Sequence, residues 1–154
     1  MNPSGLTRLQ YAWGIGSGGG TYVEIRNAST GLQIDGAGNS TSGSNAAQGG
    51  DTGSANQQWA IENDGDYVRI KNRATGLYLD GMGRTSNGSA VGQYADSGST
   101  NQQWSVVTDA NRVRIKNRAT GMFVDGMGGT GNAVLAQYGD TNSTNQQWTI
   151  VAAG

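Results

Sequence analysis

"NQQW" occupies residues 56–59, 101–104 and 145–148. Its tryptophans, Trp59, Trp104 and Trp148, lie 45 and then 44 residues apart, and the flanking sequence repeats at the same interval. "VRIKNRATG" stands unchanged at Val68–Gly76 and Val113–Gly121, with "VEIRNASTG" at Val23–Gly31. The single-residue difference falls where "NGSAVGQY" (87–94) becomes "NAVLAQY" (132–138). Packed strands tolerate a deletion in the loop between them. A fixed period of this length marks supersecondary units that share one core. The units are about 21–64, 65–109 and 110–154.

Each unit reads as four short strands, which in unit two are Tyr67–Lys71, Leu77–Asp80, Ala90–Tyr94 and Gln103–Val107. Val68 and Ile70 alternate with polar neighbours, and Leu77 and Leu79 point opposite to Tyr78 and Asp80. Turns rich in Gly, Asn and Ser separate the runs, and no stretch keeps a helical period. Four short strands cannot close a core alone, so three units must do it together. The expected fold is all-β: a closed pseudo-threefold barrel forming one domain over 21–154, after a lead-in or linker over 1–20. That lead-in carries Tyr11 and Trp13 ahead of "GIGSGGG". Trp13 reads as a linker anchor, or as a remnant of another Trp strand.

Composition narrows the function. The chain has 154 residues, 27 of them Gly, with charged residues at 14% and a net charge of -1. Nucleic acid and anionic lipid need clustered Lys and Arg, so neither is an expected partner. The uncharged polar surface suits a neutral, hydroxyl-rich partner. There is no Cys and no His, which removes disulfides, thiolate chemistry and the commonest general base and zinc ligand. "DGMG" lacks the alternating oxygen ligands of a calcium loop, so no metal or cofactor is expected. No apolar run is long enough to span a membrane as a helix. The first residues lack the basic and apolar regions of a signal peptide.

Three Gln-x-Trp motifs closing units of this length resemble the ricin B-chain-type β-trefoil lectins, or QxW lectins. That family includes carbohydrate-binding modules appended to secreted glycosidases. Gln57 and Trp59, Gln102 and Trp104, and Gln146 and Trp148 carry the likeness, with "LYLDG", "AVGQY" and "STNQQW" in register in unit two. The resemblance implies a β-trefoil with one shallow sugar pocket available to each unit. In such a pocket an Asp after the second strand accepts from two hydroxyls, and an aromatic ring ending the third strand stacks on the pyranose. The Asn before the QxW Gln contacts a further hydroxyl, and that Gln braces the Asp. Carried over, unit two supplies Asp80, Tyr94, Asn101 and Gln102, and unit three supplies Asp125, Tyr138, Asn145 and Gln146. Unit one keeps Asp35, Asn56 and Gln57 but has Gly49 in place of the ring, so it is expected to be degenerate. The resemblance also implies glycan partners of galactose or arabinose/xylose type, an extracellular location, and a catalytic domain elsewhere in a longer parent chain.

The chemistry of these residue types agrees. An ionised carboxylate accepts two donors in charge-assisted bonds, and a Tyr ring supplies apolar area at small entropic cost. Each pocket alone is expected to bind in the range of roughly millimolar to tens of micromolar, because it buries little area. The three Trp residues are expected in the core, with Gln93 and Gln137 as buried structural amides. Asp51, Asp96 and Asp140 are expected to cap turns, and Arg69, Lys71, Arg114 and Lys116 to solvate strands. Tyr78 and Phe123 either wall the pocket or pack against a neighbouring loop. Catalysis is not expected: a glycosidase needs two carboxyls about 5–9.5 Å apart, and the repeated Asp residues fall in different lobes. A trefoil that binds protein rather than sugar, in the manner of inhibitors or cytokines, shares the fold and stands as the alternative.

Overall fold

The computed structural model describes residues 22–153; the lead-in with Tyr11 and Trp13 lies outside the described residues. Among the described residues, fourteen strands follow the threefold plan. Repeat one holds β1 (Val23–Asn27), β2 (Gln33–Asp35), β3 (Ser44–Asn45), β4 (Ala47–Gly49) and β5 (Trp59–Asp64). Repeat two holds β6 (Tyr67–Asn72), β7 (Tyr78–Asp80), β8 (Ser89–Ala90), β9 (Gly92–Tyr94) and β10 (Trp104–Asp109). Repeat three holds β11 (Arg112–Asn117), β12 (Phe123–Asp125), β13 (Ala136–Tyr138) and β14 (Trp148–Ala152). First and last strands pair around a ring, β1–β5–β6–β10–β11–β14 and back to β1, all antiparallel. The hairpins β2–β4, β7–β9 and β12–β13 cap this barrel. This is a β-trefoil.

The period in the sequence becomes a layered core. Its buried apolar residues fall into triads, one member per repeat: the three tryptophans, then Val23/Val68/Val113, Ile25/Ile70/Ile115, Ile34/Leu79/Val124 and Ala46/Val91/Leu135. The sixth triad, Ile61/Val106/Ile150, is imperfect because Val106 is only partly buried. Each Trp is fully buried, and its Nε1 donates to the carbonyl of the second strand's core residue: Trp59 to Ile34, Trp104 to Leu79, Trp148 to Val124. A buried indole finds a partner for its N–H, so this bond locks the last strand of each repeat to its hairpin.

The expected strand ends move by a residue or two, with the second strand starting at Tyr78 and the last running on to Asp109, and two of the shifts have a specific cause. The run Ala90–Tyr94 splits at Val91, where the backbone leaves the neighbouring repeat and joins its own hairpin. There the three repeats close a ring of backbone bonds: Ala46 N to Val91 O (2.9 Å), Val91 N to Leu135 O (2.8 Å) and Leu135 N to Ala46 O (2.9 Å). Gln103 lies outside its strand because a 3₁₀ turn, Thr100–Gln102, ends on it. Equivalent turns occupy Ala55–Gln57 and Thr144–Gln146. Each is capped by a Ser (Ser54, Ser99, Ser143) whose Oγ accepts from the Asn amide at 3.0 Å, the preferred chemistry for a turn's first residue.

A second ring of side chains joins one repeat to the next. Asn27, Asn72 and Asn117 are about 1% exposed. Their Nδ2 atoms donate to the carbonyls of Asn145, Asn56 and Asn101 at 2.8–2.9 Å. The same three carbonyls accept from the amides of Gly126, Gly36 and Gly81. Those glycines are required by close approach, since a Cβ on any of them would stand 2.8 Å from the Asn side chain.

Candidate functional site

Strand register decides which side chains can share a pocket. Asp80 lies opposite Gly92 and Tyr78 opposite Tyr94, while Leu79 opposes Gln93. Side chains alternate faces and paired residues share one. Asp80, Gly92 and Tyr94 therefore look outward together, and Leu79 and Gln93 look inward. Repeat three repeats the pattern with Asp125 opposite Ala136 and Phe123 opposite Tyr138. Asp and Tyr are diagonal neighbours across a small residue.

The carboxylates are held by their own turns. Asp80 is 5% and Asp125 4% exposed. Asp80 accepts from Met82 N at 2.8 Å through Oδ1 and from Gln102 Nε2 at 3.1 Å through Oδ2. Asp125 accepts from Met127 N at 2.7 Å and Gln146 Nε2 at 3.1 Å. A carboxylate offers about four acceptor sites, so each still has capacity after these bonds. Met82 and Met127 adopt φ values of 58° and 56°, a left-handed conformation uncommon for a residue with a Cβ. That conformation turns the amide back onto the carboxylate.

Gln102 and Gln146 are fully buried, so they brace and do not reach the surface. Gln102 Nε2 also donates to Ala95 O at 2.8 Å, and its Oε1 accepts from Ser97 N at 3.2 Å. Asn101 and Asn145 are half-buried, and each Oδ1 is occupied by a turn amide, Gly83 N at 2.7 Å and Gly128 N at 2.6 Å. Among the described residues each Nδ2 makes only a long contact, 3.4 Å to Ser99 or Ser143 Oγ. Tyr94 is 40% exposed and Tyr138 is half-buried. Repeats two and three thus each place an outward ring, a braced carboxylate and an available amide donor around one patch.

Repeat one makes the same bonds without an outward ring. Gln57 Nε2 donates to Asp35 Oδ2 at 3.0 Å, Ala37 N donates to Asp35 Oδ1 at 2.7 Å, and Asn56 Oδ1 accepts from Gly38 N at 2.7 Å. Where the ring would start, a Cβ on Gly49 would lie 2.8 Å from Asp35 Oδ2 and 3.3 Å from Gln57 Nε2. The Asp35 carboxylate stands where a side chain at this position would begin.

Several residues have roles beyond those expected. Arg69 and Arg114 do not solvate strands. Arg69 bonds Asp96 and Gln102, and Arg114 bonds Asp140 and Gln146. Asp96 and Asp140 do cap turns, accepting from Gly98 N and Asn142 N, and the arginine bonds hold both carboxyls below the usual range. Tyr78 and Phe123 are only 6% and 7% exposed because a guanidinium lies over each ring, 4.0 Å from its centroid. Burial, with the hydroxyl donating to Glu62 at 2.8 Å, pushes the Tyr78 phenol up to about 12. Gln48, Gln93 and Gln137 are buried amides whose Nε2 atoms donate to Gly126, Gly36 and Gly81 carbonyls of another repeat. The loop before each third strand also crosses to the next repeat: Ser42 Oγ accepts from Ala95 N, and Asn87 Oδ1 from Gly139 N. These loops border the platforms, a cross-repeat contact with no signature within one repeat's sequence. Among the described residues no group of His, Cys, Asp or Glu is arranged to hold a metal, and no helix is long and apolar enough to cross a membrane.

Comparison with known proteins places this arrangement. The sequence matches the ricin-type beta-trefoil lectin domain-like family over residues 10–94 and 100–154. No curated protein matches it significantly. Among solved structures, the designed threefold-symmetric protein ThreeFoil is 29% identical with a TM-score of 0.79, covering 84% of this chain and 97% of its own. An exo-β-1,3-galactanase from Clostridium thermocellum is 27% identical with a TM-score of 0.77, over 85% of this chain; the match spans only 30% of the galactanase. A ricin B-like lectin from Macrolepiota procera, solved in complex with lactose, shares the fold at 24% identity and a TM-score of 0.75, covering 88% of this chain and 96% of the lectin. The chain belongs to the ricin-type β-trefoil lectin-like domain family.

Proposed function

We propose that the domain is a non-catalytic carbohydrate-binding module with two working pockets, in repeats two and three, directed at galactose-type or arabinose/xylose-type glycans. Asp80 and Asp125 accept from a hydroxyl pair, Tyr94 and Tyr138 stack on the C–H face of the sugar, and Asn101 and Asn145 donate through Nδ2. Gln102 and Gln146 hold the aspartates in place. One observation carries the reading: the braced Asp, an Asn amide held only by a long contact and an outward Tyr recur in register in two repeats, and the third has Gly49 in place of the ring. A sugar offering vicinal hydroxyls and an apolar face matches that set. Family membership supports carbohydrate binding in general. The likeness to part of a galactanase supports a galactose-type ligand and a place beside a catalytic domain in a longer protein; an extracellular location is proposed on the family resemblance alone.

Calorimetric titration with galactose, lactose, arabinose, xylose and glucose tests it. The expected result is weak binding at two sites per chain, tightest for a galactose-type sugar. Absence of binding across the panel and a wider glycan array, or release of reducing ends from a polysaccharide, would overturn it.

A further inference from the structure

Arg69 and Arg114 stand at equivalent places on the first strands of repeats two and three, where repeat one has Glu24. In repeats two and three the guanidinium makes three contacts at once. It lies over Tyr78 or Phe123 at 4.0 Å. Its Nη2 donates to a carboxylate on the loop following the platform tyrosine, Asp96 at 2.5 Å for Arg69 and Asp140 for Arg114. The same nitrogen donates to the Oε1 of the bracing glutamine, Gln102 at 2.9 Å and Gln146 at 3.2 Å. Nη2 carries two hydrogens, so both bonds form together. The arginine side chains are 15% and 13% exposed. Repeat one's own arginine, Arg26, lies two residues further along, at the place of Lys71 and Lys116. Its side chain is 44% exposed and stands 3.7 Å from Asp51, and Gln33 replaces the ring. It turns to that Gln33 amide instead, 3.1 Å away once the amide oxygen is oriented toward it. The clamp is built in the two repeats that carry the tyrosine, and its arginine is replaced by Glu24 in the repeat where Gly49 stands in place of the tyrosine.

We infer that Arg69 and Arg114 are positioning residues of the two pockets, each clamping the loop after the tyrosine and the glutamine behind the aspartate into one rigid unit. The inference rests on the carbohydrate reading above. Asp96, Arg69, Gln102 and Asp80 form an unbroken chain of bonds, and Gln102 also holds Ala95 O, next to Tyr94. A charged donor on Oε1 polarises the amide and strengthens the bond from its Nε2 to Asp80. Fixing ring and carboxylate beforehand removes an ordering cost from sugar binding. The groups facing the clamp maintain its charge. Burial opposes the charge on Arg69, whereas Asp96 and the more distant Asp64 favour it, and Tyr78 stays a neutral phenol at its side; Lys71 acts on Asp96. Lys116 acts on Asp140. The clamp therefore stays ionised through neutral pH.

The two sites serve as controls for one another. In a Tyr138→Ala background, site two is titrated with galactose or lactose. Arg69→Met is expected to weaken it at least about fivefold. Arg69→Lys should recover only part, because an ammonium can meet Asp96 but has no planar fork to stack and bridge. In a Tyr94→Ala background the same Arg69→Met change should leave site three untouched, and Arg26→Met should alter neither site. The Gln102 side-chain amide resonance should shift in Arg69→Met, reporting the altered bond to Asp80. Asp96→Asn, at an exposed position, should weaken site two in the same direction, and it decides the question if Arg69→Met does not fold. Affinity within twofold of the background protein, or equal loss at both sites, overturns the inference. If Tyr94→Ala leaves site two intact, the carbohydrate reading itself fails.

Discussion

Asn117→Ala tests how the repeats are joined. The Asn117 side chain makes three bonds: Nδ2 to Asn101 O at 2.8 Å, and Oδ1 from Ala119 N and Thr120 N at 3.0 Å each. A net bond contributes about 0.5–1.5 kcal/mol, and more when a buried partner is left unpaired. Asn101 O keeps its bond from Gly81 N at 2.9 Å, and Ala119 N and Thr120 N lie near solvent, which holds the cost toward the lower figure. The sum is about 2–4 kcal/mol, a sizeable share of a total of roughly 5–15 kcal/mol for a domain of this kind. Urea denaturation and thermal melting would read it, the latter as a fall of roughly 5–15 °C. Asn117→Asp separates the contributions. It keeps the two turn bonds but sets a carboxylate oxygen against the Asn101 carbonyl, so it should be no more stable than Asn117→Ala. Because Asn101 O is the anchor of pocket two, sugar affinity there should fall while pocket three is unaffected. A stability loss below about 0.5 kcal/mol, or an Asp variant as stable as the parent, would mean that Asn117 does not join the two repeats.

Gly49→Tyr supplies the missing ring without its space. The new Cβ must displace Asp35 Oδ2 from 2.8 Å, so stability should drop by about 1–3 kcal/mol and calorimetric stoichiometry should stay at two; three sites with unchanged stability would contradict this. Tyr78, pushed up to about 12 by burial and its bond to Glu62, favours the protonated phenol when folded. Its contribution is full below the ordinary Tyr value of about 10 and is lost as pH rises from there through 12. Tyr78→Phe should cost about 1 kcal/mol near neutrality and should lack that alkaline decline; parallel stability curves for the two proteins between pH 9 and 12 would refute the assignment.

The barrel was legible because threefold packing writes itself into the sequence as a period. Trp59, Trp104 and Trp148 could be placed in the core from spacing and alternation alone, as could Gln93 and Gln137 as buried amides. Outward projection of Asp80 and Tyr94 followed from strand parity. Parity fails at Tyr78, which faces outward and is nonetheless buried, because its cover is a cross-strand arginine. Arg69 itself read as a solvated charge for the same reason: its partners Asp96 and Gln102 lie 27 and 33 residues away. Contacts made by Ser42 and Asn87 on the next repeat are likewise set by the closed topology. The break at Val91 reflects the three-membered backbone ring at the axis, a property of three chain segments together. Local pattern thus carried the core and the facing of the pocket, and inter-repeat contacts carried its supports.

The proposed function gives the domain two, and only two, sugar pockets, one at Tyr94 and one at Tyr138. Both rings face outward, so replacing them should leave the melting transition nearly intact. Stacking area lost from a weak site costs on the order of 1 kcal/mol or more, enough to put binding out of range. The decisive measurement is calorimetric titration of Tyr94→Ala, Tyr138→Ala and the folded double variant with the sugar the parent binds best. One site is expected in each single variant and none in the double. A double variant that binds with the parent's affinity and stoichiometry would contradict the claim.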